Sequence, residues 1–352
     1  AKTVENIAEE LANIYAERKA RKGFAFAADD LEMQKFELRF EFEETRDQLD
    51  VISSVKADME KEMPMDRLIC GDVGFGKTEI AMRAAFKAVQ QEKQVAVLVP
   101  TTILAQQHFE TFCRRFEDTP FIIEVISRFR TAAEQKKIIK RLQEGKIDVL
   151  IGTHRMLSTD VKFKELGLLV VDEEQRFGVR HKEKIKRFRA SVDVLTLSAT
   201  PIPRTLHMSL MGIRDLSLVN TPPADRRAVR TRLLPANDYI IQEAVSREIR
   251  RGGQVYIVHN RIDTIYEYGR YLDSILPNVK IVIGHGQMRE EKLEKVMMEF
   301  IEGEFDVLLS TTIIESGLDI TNANTIIINN AHIFGLSQLY QLRGRVGRSN
   351  VQ

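Results

Sequence analysis

The chain has 352 residues, 43% of them apolar and 29% charged, with a formal net charge of +1. That length exceeds one ordinary core and suits two domains, and the near-neutral charge excludes a histone-like polycation while leaving room for a local basic groove. No apolar run approaches the roughly 18 residues of a membrane span, the first residues do not read as a signal peptide, and Cys70 and Cys113, with no His/Cys pairs at zinc spacing, read as reduced thiols of a cytosolic protein. In chain order, residues 1–22 place Val4, Ile7, Leu11, Ile14 and Tyr15 at helical spacing, with Gly23 as a stop. Residues 1–45 form a helical lead-in on this reading. From about residue 46, short apolar runs alternate with amphipathic stretches: RLIC (67–70), VAVLVP (95–100), FIIEVI (121–126), DVLIGT (148–153), LGLLVVDEE (166–174) and DVLTLSAT (193–200). Continuous apolar strands between helices predict a parallel sheet buried on both faces, an α/β domain over 46–218. Residues 219–235, with their prolines and burst of arginine, read as a linker. Alternation restarts over 236–352 with QVYIVHN (254–260), KIVIGH (280–285), FDVLLST (305–311) and TIIINN (325–330).

The two halves repeat each other. EGKIDVLIGT (144–153) aligns with EGEFDVLLST (302–311), and KQVAVLVP (93–100) with GQVYIVHN (253–260) at nearly the same offset. Two matches in order favour a duplicated α/β unit, with a period far too long for a solenoid.

Residues 71–78, GDVGFGKT, fit GxxxxGK[ST] between a short apolar strand and a helical stretch, the context a P-loop requires. Glycines let backbone N–H groups curl around phosphate oxygens, and the helix N-terminus adds a field favourable to anions. Asp72, Val73, Gly74, Phe75, Gly76, Lys77, Thr78 and Glu79 are therefore predicted to hold ATP, with Lys77 on the β- and γ-phosphates and Thr78 on Mg²⁺. The strand LLVV (168–171) ends in Asp172, Glu173, Glu174 and Gln175. Asp172 is assigned to Mg²⁺, partly through water, and Glu173 to the general base that orients the attacking water. Upstream, Gln48 carries an amide that offers donor and acceptor together and suits the edges of adenine; Thr45 reads equally as a helix N-cap.

Asp172–Gln175, then Ser198, Ala199 and Thr200, then Gln341, Arg345 and Arg348 in QLRGRVGR, resemble the motifs of superfamily 2 helicases in order and spacing. More closely, MDRLICGDVGFGKTEIAMRAAF, VAVLVPTTILAQQHFETF, ISRFR, VDEEQRFGVRHKEKIK, LSATPIPRTLHMSLMGIRDLS, IGHGQMRE and TTIIESGLDI resemble the motor of the bacterial transcription-repair coupling factor family over nearly the whole chain. A branch-migration helicase that remodels replication forks is the nearest sibling, and the lead-in and ISRFR favour the coupling factor. The resemblance implies two RecA-like parallel-sheet lobes in tandem, an ATP hydrolase with Mg²⁺, and translocation on double-stranded DNA. In the full protein such a motor displaces stalled RNA polymerase and recruits excision-repair proteins through domains outside this chain, in a bacterial cytoplasm at the nucleoid. It implies that Arg345 and Arg348 act on the γ-phosphate as arginine fingers, which suits planar, permanently charged guanidinium groups. It gives Gly317 and Asp319 to nucleotide–DNA coupling, and Gln175 with Ser198, Ala199 and Thr200 to the link between the acidic box and the next strand.

DNA contacts are expected at the C-terminal strand ends, the functional edge of open α/β sheets. In the first half these are Pro100, Thr101, Thr102, Arg128, Gly152, Thr153, His154 and Arg155; in the second, Asn260, Arg261, His285, Gly286, Thr311 and Thr312. Hydroxyls, amides and arginines suit phosphates, and each such residue could equally be a capped loop end. The basic run His181–Arg187 reads as a solvated helix face. Two features depart from the family. Gln175 stands where histidine is usual, which predicts retained activity with weaker pH dependence below about 7. The chain also begins at Ala1 and stops at Gln352, short of the family's helical hairpin, which predicts a fragment able to hydrolyse ATP without stepping efficiently.

Overall fold

The central apolar runs become strands buried on both faces, the outer ones strands that are only partly buried, and the amphipathic stretches become helices that cover the sheet. A computed structural model describes residues 22–189, 191–199, 214–223, 229–311, 320 and 322–346. The helix predicted over 1–22 therefore lies outside the described residues, apart from its last position. The chain divides into two units, Ala1–Ala224 and Asp225–Gln352, at a point inside the predicted linker.

In the first unit, α1 (Leu31–Leu38) and α2 (Arg46–Met59) precede the alternating elements β1 (Asp66–Gly71), α3 (Lys77–Val89), β2 (Gln94–Leu98), α4 (Thr102–Arg115), β3 (Ile123–Ile126), α5 (Ala132–Gln143), β4 (Val149–Gly152), β5 (Leu166–Asp172), α6 (Val179–Arg189), β6 (Asp193–Ser198) and β7 (Asp215–Val219). The strands form a seven-stranded sheet in the order β3-β4-β2-β5-β6-β1-β7. Every pairing is parallel, so all C-terminal strand ends open on one edge. β2, β4 and β6 are buried at every position, as their uninterrupted apolar runs require. One face of the sheet packs through Val95, Val97, Leu168 and Val170 on α3; the other packs through Ala96, Leu98, Leu150 and Leu169 on α5 and α6. Sequence reading did not find β7. It is an edge strand that alternates exposed and buried residues and carries no continuous apolar run.

The lead-in is docked by charge as well as apolar contact. Phe36 stacks on Phe86 of α3 at 4.0 Å between ring centroids. Lys87, 2% exposed, reaches Asp29 at 2.7 Å and Glu60 at 2.8 Å, and also donates to the Ala27 carbonyl. Arg83 pairs with Glu37, Glu44 and Glu79. These cations are tolerable inside because each has anionic partners.

The second unit comprises α7 (Asp238–Arg250), β8 (Gln254–Val258), α8 (Ile262–Ile275), β9 (Ile281–Gly284), α9 (Glu290–Ile301), β10 (Val307–Ser310), β11 (Ala323–Ile328) and α10 (Leu336–Arg343). Its strands form a parallel sheet in the order β11-β8-β10-β9.

The repeat seen in sequence extends to side-chain roles. Gln94, first in β2, donates to the Leu142 and Ile147 carbonyls at 3.0 and 2.8 Å; Gln254, first in β8, donates to those of Phe300 and Phe305 at 2.6 and 2.7 Å. Asp148 accepts from the Ile122 N–H at 2.7 Å, and Asp306 from that of Lys280 at 2.8 Å. Both preceding helices end at a glycine of positive φ, 76° at Gly145 and 84° at Gly303, the left-handed stop that glycine adopts without steric cost.

Candidate nucleotide site and its flanking edge

The P-loop joins β1 to α3. Gly74 and Gly76 have φ of 80° and 75°, values that put two turns of the loop beyond ordinary side chains. Asp72 fixes the loop from inside by accepting the Val73 N–H at 2.7 Å. The Lys77 ammonium folds back on the loop, donating to the Gly71 and Asp72 carbonyls at 2.7 and 2.8 Å. Thr78 is half-buried in the first turn of α3. The Glu79 carboxylate points away into the lead-in network, bound by Arg83 and Arg115, and its N–H is held by the Gly76 carbonyl at 3.0 Å.

Gln48 takes a role that sequence did not suggest. Its carbonyl accepts the Thr45 N–H at 2.8 Å within a capping box, and its amide donates to the Phe75 carbonyl at 2.9 Å. Gln48 thus ties α2 to the P-loop with one donated and one accepted bond, two of the four an amide can make.

Parallel pairing of β5 to β6 and β6 to β1 sets the acidic box on the same edge as the P-loop. Asp172 ends β5 and is 9% exposed. Glu173 follows in the left-handed region at φ 50°, strain that turns its carboxylate toward β6. There it accepts the Ala199 N–H at 2.8 Å. Gln175 donates its amide to the other Glu173 oxygen. The expected link from Gln175 to the 198–200 segment therefore passes through Glu173; Thr200 lies outside the described residues. Burial lifts the Glu173 carboxyl above its ordinary range, and the Asp172 charge adds to the lift. The Ala199 hydrogen bond, the Lys77 charge and the Gln175 amide oppose it. A raised carboxyl at a P-loop suits a general base.

Glu174 does the opposite. Burial alone would raise it, but the charges of Arg189 and Arg214 and their hydrogen bonds outweigh burial and hold it at about 2. Arg189 lies 2.6 Å and Arg214 3.3 Å from its oxygens, and Arg214 also reaches Asp66 at 2.9 Å and bonds Thr196. This network pins the acidic box to β1, β6 and the entry to β7. Sequence reading missed it because its members are scattered from Asp66 to Arg214 and meet only through strand order. His108 was missed too, because its spacing reads as that of a core histidine. It is an ionisable residue in step with Leu104 and Phe112 on the buried stripe of α4, and its Nε2 lies 3.0 Å from Asp172 Oδ2.

Asp172, Glu173 and the Thr78 hydroxyl are hard oxygen donors, the chemistry Mg²⁺ takes. A cation of that kind is usually held by one or two carboxylates plus substrate phosphates. The described residues contain no group of three or more His, Cys, Asp or Glu arranged as a metal cage.

The residues expected to meet DNA line the same edge of the first unit with differing freedom. Thr101 caps α4 by accepting the Leu104 N–H at 3.3 Å. Pro100 is half-buried, Thr102 and Thr153 are buried, and Arg128 is exposed. Gly152 packs so closely that a Cβ there would lie 2.6 Å from the Ile126 carbonyl oxygen. His154 is exposed and stacks on His181 of α6 at 5.3 Å, while Arg155 grips Asp160 at 2.8 and 2.6 Å and Gln135 at 3.0 Å. In the second unit Asn260, Arg261 and Gly286 are exposed. His285 is 6% exposed and shares a 2.8 Å hydrogen bond with the Tyr266 hydroxyl; among the described residues its Nδ1 and the hydroxyl of Thr311, 4% exposed, have no hydrogen-bond partner. Arg345 is 4% exposed. Thr312, Gly317, Asp319 and Arg348 lie outside the described residues, as does the side chain of Gln341. Among the described residues, no helix is long and apolar enough to cross a membrane.

The chain also resembles known proteins. Residues 45–209 match the DEAD/DEAH box helicase family and residues 236–350 the helicase conserved C-terminal domain. The chain is similar to the transcription-repair-coupling factor of Bacillus subtilis, 58% identical over 99% of this chain and 30% of that protein. It is 56% identical to that of Haemophilus influenzae, over 100% of this chain and 31% of that protein. It thus spans about a third of the length of these relatives. Among solved structures it is similar to RecG bound to a three-way DNA junction, with a TM-score of 0.81 and 37% identity over 97% of this chain and 47% of that one. A yeast Dbp5 structure, 15% identical with a TM-score of 0.59, shares the fold.

Proposed function

We infer that this chain, a superfamily 2 helicase motor module of the transcription-repair-coupling-factor kind and a relative of RecG-type helicases, is the ATP-hydrolysing core of a double-stranded DNA translocase. The observation that carries this reading is the convergence, on one edge of one parallel sheet, of the P-loop after β1, the Asp172–Glu173 pair after β5 and the Ala199 N–H after β6. Lys77 exchanges the Gly71 and Asp72 carbonyls for phosphate oxygens when ATP arrives. Thr78 and Asp172 would hold Mg²⁺, partly through water, and such a cation would supply Lewis-acid stabilisation of charge on the phosphates. Glu173, raised by burial, takes a proton from the attacking water, with Gln175 and Ala199 fixing its two oxygens. Arg345 and Arg348, with Gln341, are assigned to the charge that develops on the γ-phosphate. Gly317 and Asp319 are assigned to coupling, and the strand-end residues of both units, Pro100 to Arg155 and Asn260 to Thr312, to DNA phosphates.

Within a longer bacterial protein, this motor would push on a stalled RNA polymerase and work with excision-repair proteins through other domains, in the cytoplasm at the nucleoid. The likeness to a junction-bound RecG supports a second reading, remodelling of branched DNA. ATPase rates with double-stranded DNA, single-stranded DNA and RNA test the core claim. Stimulation by double-stranded DNA, and a fall of about 10²-fold or more in Glu173→Gln, are expected. Stimulation by RNA alone would overturn it. Polymerase displacement against branch migration, assayed with the longer protein, separates the two readings.

A further inference from the structure

The ring of His108 and the carboxylate of Asp172 are 9% and 12% exposed, and their polar atoms meet at 3.0 Å. An ionised carboxylate only accepts, so the ring Nε2 supplies the proton. Packing fixes the ring. It lies 6.4 Å from Phe112, one helical turn on, along the apolar stripe that buries α4 against the sheet. The same helix begins at Thr102, capped by Thr101, among the residues assigned to DNA. His108 lies six positions after Thr102, about 9 Å along the helix.

We propose that His108 is a positioning residue for Asp172. Its N–H fixes Oδ2, so that the carboxylate keeps one orientation toward Mg²⁺-bound nucleotide, and α4 joins that orientation to the Pro100–Thr102 edge. The proposal rests on the ATPase reading of the site. A carboxylate released from this bond regains the broad, roughly two-fold torsion of an aspartate. Hydrogen-bond partners behind a metal ligand are commonly worth 10–100-fold in metal affinity or activity, and a cation held partly through water belongs near the low end, about tenfold.

The test uses His108→Ala and His108→Gln in the whole chain, with ADP binding measured by calorimetry in Mg²⁺ and in EDTA, alongside melting temperature and ATPase with and without double-stranded DNA. In His108→Ala, ADP binding should weaken about tenfold in Mg²⁺ and stay unchanged in EDTA. The Mg²⁺ needed for half-maximal hydrolysis should rise in step, and the stimulation ratio by DNA should fall. The melting temperature should hold within a few degrees. His108→Gln, whose amide N–H can reach the same oxygen, should restore most of the loss. Equal losses with and without Mg²⁺, or no rescue by glutamine, would reduce His108 to a packing residue. An unchanged Mg²⁺ dependence would remove the positioning role, and an unchanged stimulation ratio the part played by α4. Failure of the unaltered chain to bind Mg²⁺-ADP would overturn the ATPase reading itself, and this proposal with it.

Discussion

Replacing Glu174 by glutamine should destabilise the first unit by about 3 kcal/mol at neutral pH. The carboxyl is held at about 2 against an ordinary value of 4.5, which corresponds to about 3 kcal/mol favouring the ionised form in the folded state. The structure explains the size. Arg189 and Arg214, with side chains 8% and 6% exposed, are balanced among the described residues by two carboxylates, Glu174 and Asp66. Glutamine removes one and leaves two enclosed guanidinium groups on a single anion. Breaking a buried pair on one side commonly costs about 3–5 kcal/mol, so the two arguments agree. Because the folded value is depressed, the contribution is complete above about pH 4.5 and is lost as pH falls toward 2, with roughly half remaining near pH 3.3. The chain has no tryptophan, so urea unfolding is followed by far-ultraviolet circular dichroism, without nucleotide or divalent cation, at pH 7, 5, 4 and 3.3. The gap between the parent and Glu174→Gln should narrow on that schedule. A gap below about 1 kcal/mol at pH 7, or one that stays constant down to pH 3.3, would refute the charge-network account.

Four further outcomes are expected. Gly76→Ala combines a left-handed backbone, φ 75°, with a Cβ directed at the Gln48 amide; calorimetry should show at least about tenfold weaker nucleotide binding, with the fold retained. Asp29→Ala strips an anion from both Lys56 and Lys87 and should cost about 2 kcal/mol in denaturant melts, less than a fully abandoned charge because Glu60 and the Ala27 carbonyl still hold Lys87. Lys87→Met should cost less, about 1 kcal/mol, because the acids it releases are 25% and 37% exposed and can hydrate. Gln175→His should keep ATPase activity near neutrality but add a dependence on pH below about 7 that glutamine, unable to gain charge, does not show. Identical pH–rate profiles for the two proteins would count against this.

The sequence alone determined the parts whose physics is local. The P-loop is legible because its glycines and its place between strand and helix are themselves the requirement. The strands β2, β4, β5 and β6 are legible because burial on both faces leaves no polar alternation, and the repeat is legible because Gln94 and Gln254, Asp148 and Asp306, Gly145 and Gly303 do the same local work in each unit. Strand order in space is not local, and everything that depends on it had to come from the tertiary structure. Placing β6 between β5 and β1 decided that Glu173 meets Ala199 and that Glu174 meets Arg214. Packing α4 on the sheet over β3 and β4 decided that His108, indistinguishable in sequence from a core histidine, meets Asp172. Gln48 carried a local signal for adenine, and only the fold could show that its amide also reaches the Phe75 carbonyl.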